Sequence, residues 1–492
     1  MSDRPKRVLI LSAGVGSGHN AAGKALESEF AGRPGVGAVQ SVDVLGLTSD
    51  LFRSLQDDAY FTLVDAAPWL VGWGYDMNDV PFRSRGAMSV WDQLNTTAVV
   101  KTIRAFAPDT IVCTHYLPAR LVSLLLGRER LQATMSVVTT DYDFQGMWLT
   151  APFNRLYVAR DETRAHMVEI GLPADRITVS GIPVGRQFST PADRESLLAR
   201  YELRSDVPIL LISAGAAGGE YTRAVVTQTM AITTPFQAVV VCGRNEELRE
   251  ALTALVAPDA SRYRVIGYTT EMASLMRVAT LFVGKPGGLS SSECMAAGLP
   301  MVLINPIPGQ EVRNSDFLLE EGAAVRCNYG TTIGYKIATL LDAPERLARM
   351  AASARRIGRP EAAEVIATGA LAEPSQLVWI SREARRVIRD GAQQGPPARR
   401  QKEGDRVKTV VDASTDVSVA LVTEVDLRRI ARYLPSAVSL EPELRVTPHL
   451  IAHLKRRRVP ADPVAMLANA LGSAGEVVLR LRPDPPAVPT LL

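Results

Sequence analysis

Two short stretches of this chain carry residue types suited to holding a sugar joined to a nucleotide: Lys285-Pro286-Gly287-Gly288-Leu289-Ser290-Ser291-Ser292-Glu293 and Asn305-Pro306-Ile307-Pro308-Gly309-Gln310-Glu311. Bare glycines let a diphosphate approach the backbone, and a helix N-terminus adds unpaired N–H groups and the positive end of its dipole. Glu293, expected on the first turn of that helix, can accept hydrogen bonds from the two hydroxyls of a ribose. Gln310 and Glu311, at the next strand end, can do the same for a hexose. A third stretch, Ser12-Ala13-Gly14-Val15-Gly16-Ser17-Gly18-His19-Asn20, has glycine spacing close to a dinucleotide fingerprint, which alone is a weak signal. It departs from that pattern by closing on His19 and Asn20 at a helix start. The dipole there favours a neutral imidazole, the form a general base needs. A structural turn carrying a surface histidine would have the same spacing.

Further candidates are each compatible with a plainer reading. Asp141-Tyr142-Asp143 has the Asp-x-Asp spacing of some metal-bound nucleotide-sugar sites. No second acidic or histidine cluster completes a metal shell, so no metal is expected and Asp141 is read as lining a cleft. Arg244, in Cys242-Gly243-Arg244-Asn245, could grip a diphosphate through its planar fork or be a solvated side chain in a capping turn. The turn Val265 to Met272 could read a nucleobase edge at Tyr268 and Thr269, though a bland loop would look similar. From Leu51 to Trp91 the chain is aromatic, with Phe52, Tyr60, Phe61, Trp69, Trp73, Tyr75, Phe82 and Trp91 interleaved with arginines. That composition suits a membrane interface or an ordinary packed insertion. The run Lys455 to Arg458 suits anionic lipid or a solvated face.

These residues need elements to position them. Apolar strands alternate with helical stretches from Arg7 onward, and runs such as Val8-Leu9-Ile10-Leu11 are continuously apolar, as strands buried on both faces are. The pattern resets near Gly181-Ile182-Pro183-Val184, and a new strand, Ile209 to Ser213, ends in the glycine-rich Ala214 to Gly219. The expected architecture is α/β: two doubly wound Rossmann-like domains, 1–185 and 186–371, facing a cleft. A basic helix and linker (372–406) and a small C-terminal α+β appendage (407–492) follow.

Composition bounds the reading. A chain of 492 residues with 47% hydrophobic and 22% charged residues is ordinary for a globular protein; a net charge of +3 is too small to argue for nucleic acid, and no nucleic-acid partner is expected. Cys113, Cys242, Cys294 and Cys327 lack CxxC spacing and read as buried thiols of a reducing cytoplasm. The apolar run Val8 to Leu11 is too short for a signal-peptide core, and no run approaches the ~18–20 apolar residues of a membrane span. Any membrane contact is expected at the surface.

Together, Ser12 to Ala22, Thr139-Thr140-Asp141, Gly181 to Val184, Cys242 to Asn245, Lys285 to Glu293 and Asn305 to Glu311 resemble the monogalactosyldiacylglycerol synthases and processive diacylglycerol glucosyltransferases. The lipid II-forming N-acetylglucosaminyltransferase is a more distant likeness. The resemblance spans roughly residues 5–360. It implies the two-domain GT-B fold and an inverting, metal-independent transfer from a UDP-sugar to a membrane lipid. Carried over, Glu293 holds the ribose and the turn at Tyr268 and Thr269 the uracil. Arg244, Gly287 and Gly288 lie near the diphosphate, Gln310 and Glu311 at the sugar, with Gly16, Gly18, Gly215 and Gly309 also on the donor side. His19 is the base or its neighbour. Asn20, Trp69, Trp73, Asp141 and Gln145 fall on the acceptor and membrane side of a peripherally associated cytoplasmic enzyme. One departure stands out: Gln145 occupies the position of a histidine often found after the Thr-Asp pair, and glutamine cannot act as a base near neutral pH. Transfer to another lipid or small acceptor, and a non-catalytic nucleotide-sugar-binding regulator, are the rival readings.

Overall fold

The computed structural model describes residues 4–14, 18–48, 79–82, 97–213, 219–393, 407–434, 443–457, 459 and 461–482. Within them the apolar runs form three sheets. The first contains β1 (Lys6–Ser12), β2 (Val36–Asp43), β3 (Thr110–Cys113), β4 (Thr134–Val138), β5 (Arg155–Val158) and β6 (Ile177–Val179). Its strands are all parallel, in the order β2-β1-β3-β4-β5-β6. The second contains β7 (Ile209–Ser213), β8 (Gln237–Val241), β9 (Tyr263–Ile266), β10 (Leu281–Gly284), β11 (Met301–Ile304) and β12 (Ala324–Cys327), again parallel, in the order β12-β11-β10-β7-β8-β9. Val8 to Leu11 and Ile209 to Ile212 are wholly buried, because helices cover both faces.

These orders fix where a ligand can sit. In a doubly wound sheet the crevice opens at the C-terminal strand ends where the order reverses. That point falls between β1 and β3 in the first sheet, so the loops after Ser12 and Cys113 meet there. In the second sheet it falls between β7 and β10, so the Lys285 loop flanks it.

The helix Ala362–Ala372 returns to the first sheet, where Ala363, Ile366, Ala367 and Ala370 pack on Val8, Ile10, Val112 and Val138. It therefore belongs to the first core despite following the second sheet in sequence. At the domain junction Arg186 gives Nε and Nη2 to the two oxygens of Glu29, at 2.7 and 2.8 Å.

The third sheet comprises β13 (Trp379–Ile380), β14 (Val407–Asp412), β15 (Ser418–Thr423), β16 (Glu443–Val446) and β17 (Val477–Leu481), in the order β13-β15-β14-β17-β16. Only β13 runs parallel to its neighbour. Helices Glu424–Ala431, Pro448–Arg456 and Ala461–Leu471 share its core. The segment 372–393 is therefore more than a spacer: Trp379 and Ile380 join this sheet, and Ile380, Ala384 and Ile388 are buried with the first domain's core. Only 394–406 of the expected linker lies outside the described residues. All four cysteines are buried and unpaired. No helix among the described residues is long and apolar enough to cross a membrane.

Candidate active site

The chain leaves β1 at Ser12 and enters the helix Gly18–Ala31, which places His19 at its second residue. The His19 ring is held from two sides. Its Nδ1 lies 3.0 Å from the Thr114 carbonyl oxygen and 2.9 Å from Thr140 Oγ1. A carbonyl can only accept, so Nδ1 carries the proton and Nε2 keeps the lone pair. Burial lowers the His19 pKa, while Asp141, the Thr114 carbonyl and Asp43 oppose the shift. Burial, more than the helix dipole invoked from sequence, thus leaves the imidazole neutral. Asp141 is pushed up by the same burial and pulled back by a hydrogen bond from Asn314 and by His19.

Around His19 stand aromatic rings that sequence reasoning passed over. His115 packs edge-on at 4.6 Å between centroids and Trp148 lies at 6.3 Å. His115 caps its helix by accepting the Leu117 N–H through Nδ1, and burial drives its pKa well down. Its signal was available, since Thr114-His115 directly follows the buried strand β3, but only the strand order brings that strand end beside His19.

On the opposite wall, β10 ends at Gly284 and the helix begins at Gly288, with Gly287 in extended backbone as its N-cap and no side chain over the helix end. Glu293 therefore sits on the second turn, one turn later than expected. It makes no hydrogen bond or ion pair with any described residue, and burial raises its pKa to about 8. After β11, Gly309 takes φ +94° and ψ −110°, backbone open to glycine alone, and Gln310 opens the next helix. Glu311 accepts the Ile307 N–H at 2.7 Å, so one oxygen braces its own loop while the other faces Gly287. The Arg244 guanidinium lies over the exposed ring of Tyr268, 5.2 Å from its centroid. Thr269 Oγ1 accepts the Glu271 N–H, leaving the backbone of that turn to meet a ligand.

The two walls touch. A Cβ added at Gly288 would stand 1.9 Å from the Thr140 carbonyl oxygen, and one at Gly18 3.7 Å from Leu289 Cβ. Tyr142 reaches from the first domain into the second, its hydroxyl 2.6 Å from Ser292 Oγ and 3.0 Å from Ser291 Oγ, with Phe317 against its ring. The cleft is closed, with the His19 loop against the first turn of the Gly288 helix.

Two residues expected on the acceptor side are packed into the first domain. The Asn20 amide is held inside the first domain by Ser12 Oγ at 2.5 Å and Asp43 at 2.8 Å, so it braces the His19 loop. Gln145 is buried at the position that precedes the turn Gly146–Trp148. Gly16, Gly215, Trp69 and Trp73 lie outside the described residues. Among those described, no group of three or more His, Cys, Asp or Glu side chains could hold a metal ion.

Comparison with known proteins gives consistent findings. The family profile of monogalactosyldiacylglycerol (MGDG) synthase matches residues 19–184, and that of the glycosyltransferase family 28 C-terminal domain matches 209–366. A processive diacylglycerol beta-glucosyltransferase of Bacillus cereus (strain AH187) is 30% identical over 376 residues, covering 76% of this chain and 95% of that protein. Its Bacillus licheniformis counterpart is 27% identical over 383 residues, covering 78% and 99%. Acinetobacter baumannii MurG superposes with a TM-score of 0.50 at 19% identity, over 75% of this chain and 100% of that one. The S. aureus MnaA–UDP structure does so at 0.51 and 13% identity, over 74% and 95%. These structural likenesses speak for the two-domain GT-B fold. Given a relative of that identity aligned along nearly its whole length, the chain belongs to the glycosyltransferase family of the MGDG synthases and processive diacylglycerol glucosyltransferases.

Proposed function

We propose that this enzyme transfers a hexose from a UDP-sugar to a membrane lipid, diacylglycerol, with inversion at the anomeric carbon and without a metal ion. The observation that carries the proposal is the buried His19 ring, whose Nδ1 meets the Thr114 carbonyl, on a helix start packed against the first turn of the Gly288 helix of the second domain. In this reading Nε2 takes the proton of the acceptor hydroxyl as it attacks. The N-terminus of the helix Gly288–Ala297, with Arg244, Gly287 and Gly288, stabilises charge on the departing UDP. Glu293 accepts from the ribose hydroxyls, the turn at Tyr268 and Thr269 meets the uracil, and Gln310 with the free oxygen of Glu311 faces the sugar. Closure of the cleft excludes water, which would otherwise compete with the lipid hydroxyl.

The acceptor is read from the names of the relatives, which are diacylglycerol glucosyltransferases. A lipid acceptor requires work at a membrane surface, and the aromatic segment containing Trp69 and Trp73 is the part of the chain composed for it. The test is to incubate the purified protein with several UDP-sugars and vesicles containing diacylglycerol, following UDP release and glycolipid. Release with a new glycosyl-diacylglycerol is expected. Product on another lipid would reassign the acceptor, and donor binding without turnover on any lipid would leave a nucleotide-sugar-binding regulator.

A further inference from the structure

Two consecutive residues on the helix Gln310–Glu320 cross from the second domain into the first. Arg313 reaches Asp79 at 2.9 Å and Asp143 at 3.3 Å. Asn314 is wholly buried, and its amide meets the first domain with both ends. Its Oδ1 accepts the Tyr142 N–H at 2.9 Å, and its Nδ2 donates to Asp141 Oδ1 at 3.0 Å. A backbone N–H can only donate and a carboxylate can only accept, so the amide has one permitted orientation.

We infer that Asn314 is a positioning residue: it holds the Asp141 carboxylate beside His19 only when the second domain is seated against the first, so that closure over the donor and readiness of the base are one event. The inference rests on the reading of His19 as base.

The electrostatics agree in sign. Asp141 faces His19, Asp143 and Glu311, and its two carboxylate neighbours oppose its ionisation, as burial does. The Asn314 N–H favours the ionised form. His19 faces Asp141, Asp43 and His115; the two aspartates raise its basicity and His115 opposes it. Loss of the Asn314 bond leaves Asp141 easier to protonate, and a neutral Asp141 no longer supports the proton that His19 must accept. His19 then becomes the weaker base, and the pH below which it is protonated moves down.

The experiment measures kcat, donor KM and UDP affinity against pH for the full-length protein and for Asn314→Ala, Asn314→Asp, Asp141→Asn, the double variant Asn314→Ala/Asp141→Asn, and His19→Ala. The expected loss in Asn314→Ala is about 100-fold in kcat, the scale of a small misplacement of a reacting group. UDP affinity should be nearly unchanged, with the acid limb of kcat displaced to lower pH. The double variant should be no slower than Asp141→Asn alone, because both changes break the same link. Asn314→Asp keeps size and shape, and its carboxyl can donate to Asp141 only when protonated, so its relative activity should rise as pH falls. Additive losses, an unmoved acid limb, or a loss of UDP affinity as large as the loss of kcat would overturn the positioning role. An active His19→Ala would instead remove the base reading, whatever Asn314 does.

Discussion

His19 Nδ1 lies 3.0 Å from the Thr114 carbonyl oxygen, and that contact decides which ring nitrogen is free for chemistry. The histidine is on the helix after β1 and the threonine at the end of β3, adjacent strands at the point where the first sheet reverses its order. Replacement by alanine removes the ring proposed as base and leaves the second-domain residues proposed to hold the donor untouched. His19→Ala should therefore lower kcat by about 10²–10⁴-fold, with UDP affinity by calorimetry close to that of the wild type.

The pH dependence follows from the same ring. Burial holds the His19 pKa below its ordinary 6.5, so with His19 as the proposed base the ring is neutral at pH 7 and the acid limb of kcat/KM should fall below pH 6.5. Below that pH the unfolded chain binds the proton more readily than the native protein. Folding stability is therefore lost, not gained, as pH falls. A limb above pH 6.5 that vanishes in His19→Ala would contradict this assignment.

Glu293 gives the opposite sign. Its pKa is raised from 4.5 to about 8, so between those values the native protein holds a proton that the unfolded chain has released. Its contribution to stability is complete below pH 4.5 and is lost as pH rises through 8. Glu293→Gln abolishes that dependence. The melting temperature of the variant minus that of the wild type should climb between pH 5 and pH 8.5. UDP affinity at pH 8.5 should drop by about 10- to 100-fold, as for loss of hydrogen bonds to a charged acceptor. A flat difference in melting temperature would show that Glu293 is not buried as an acid in solution.

Gly288→Ala tests closure directly. The added methyl would stand 1.9 Å from the Thr140 oxygen and 3.2 Å from Ile182 Cδ1, and the first of these neighbours is backbone that cannot rotate away. The cleft should stay ajar, with a larger radius of gyration by X-ray scattering and a fall in kcat of about 100-fold. Full turnover would mean that the Thr140 approach is not part of the working state.

Much of this was legible in the sequence because parallel strands buried on both faces read as unbroken apolar runs; Val8 to Leu11 and Ile209 to Ile212 were placed on that signal alone. The Lys285 and Asn305 stretches were legible as strand-to-helix loops because glycine and proline punctuate the apolar runs there. What sequence withheld was adjacency. His115 is an unremarkable residue after β3 until the strand order sets it beside His19, and Asn314 is one polar residue on an amphipathic helix until Asp141 meets it from the other domain. The amide of Asn20 meets both Ser12 and Asp43 only because β1 and β2 lie side by side with those two residues in register. The helix Ala362–Ala372 carries an apolar face that fits either core, and only the returning chain path decides between them.

The C-terminal appendage supplies the last test, through Arg176. This side chain is wholly buried at the edge of the first sheet, donating to Glu373 at 2.8 Å, to the Ser418 carbonyl at 2.5 and 2.9 Å, and to the Asn154 carbonyl at 3.3 Å. Beside it Asp175 accepts from the Ser418 N–H and hydroxyl and from Arg482. One guanidinium thus joins β15 of the third sheet to the first domain, and its removal takes the donor from one oxygen of Glu373 and from the carbonyls of Asn154, Gln376 and Ser418. Arg176→Met should destabilise the protein by about 3–5 kcal/mol, the range for breaking one partner of a buried pair. Arg155, which also pairs with Glu373, should keep the loss toward the lower end. The effect should be local: hydrogen exchange should quicken first across Val407–Asp412 and Ser418–Thr423, while UDP affinity, assigned in the proposal to the second domain, stays as in the wild type. Uniform loss of protection across all three sheets would mean that the appendage melts with the catalytic core as one cooperative unit.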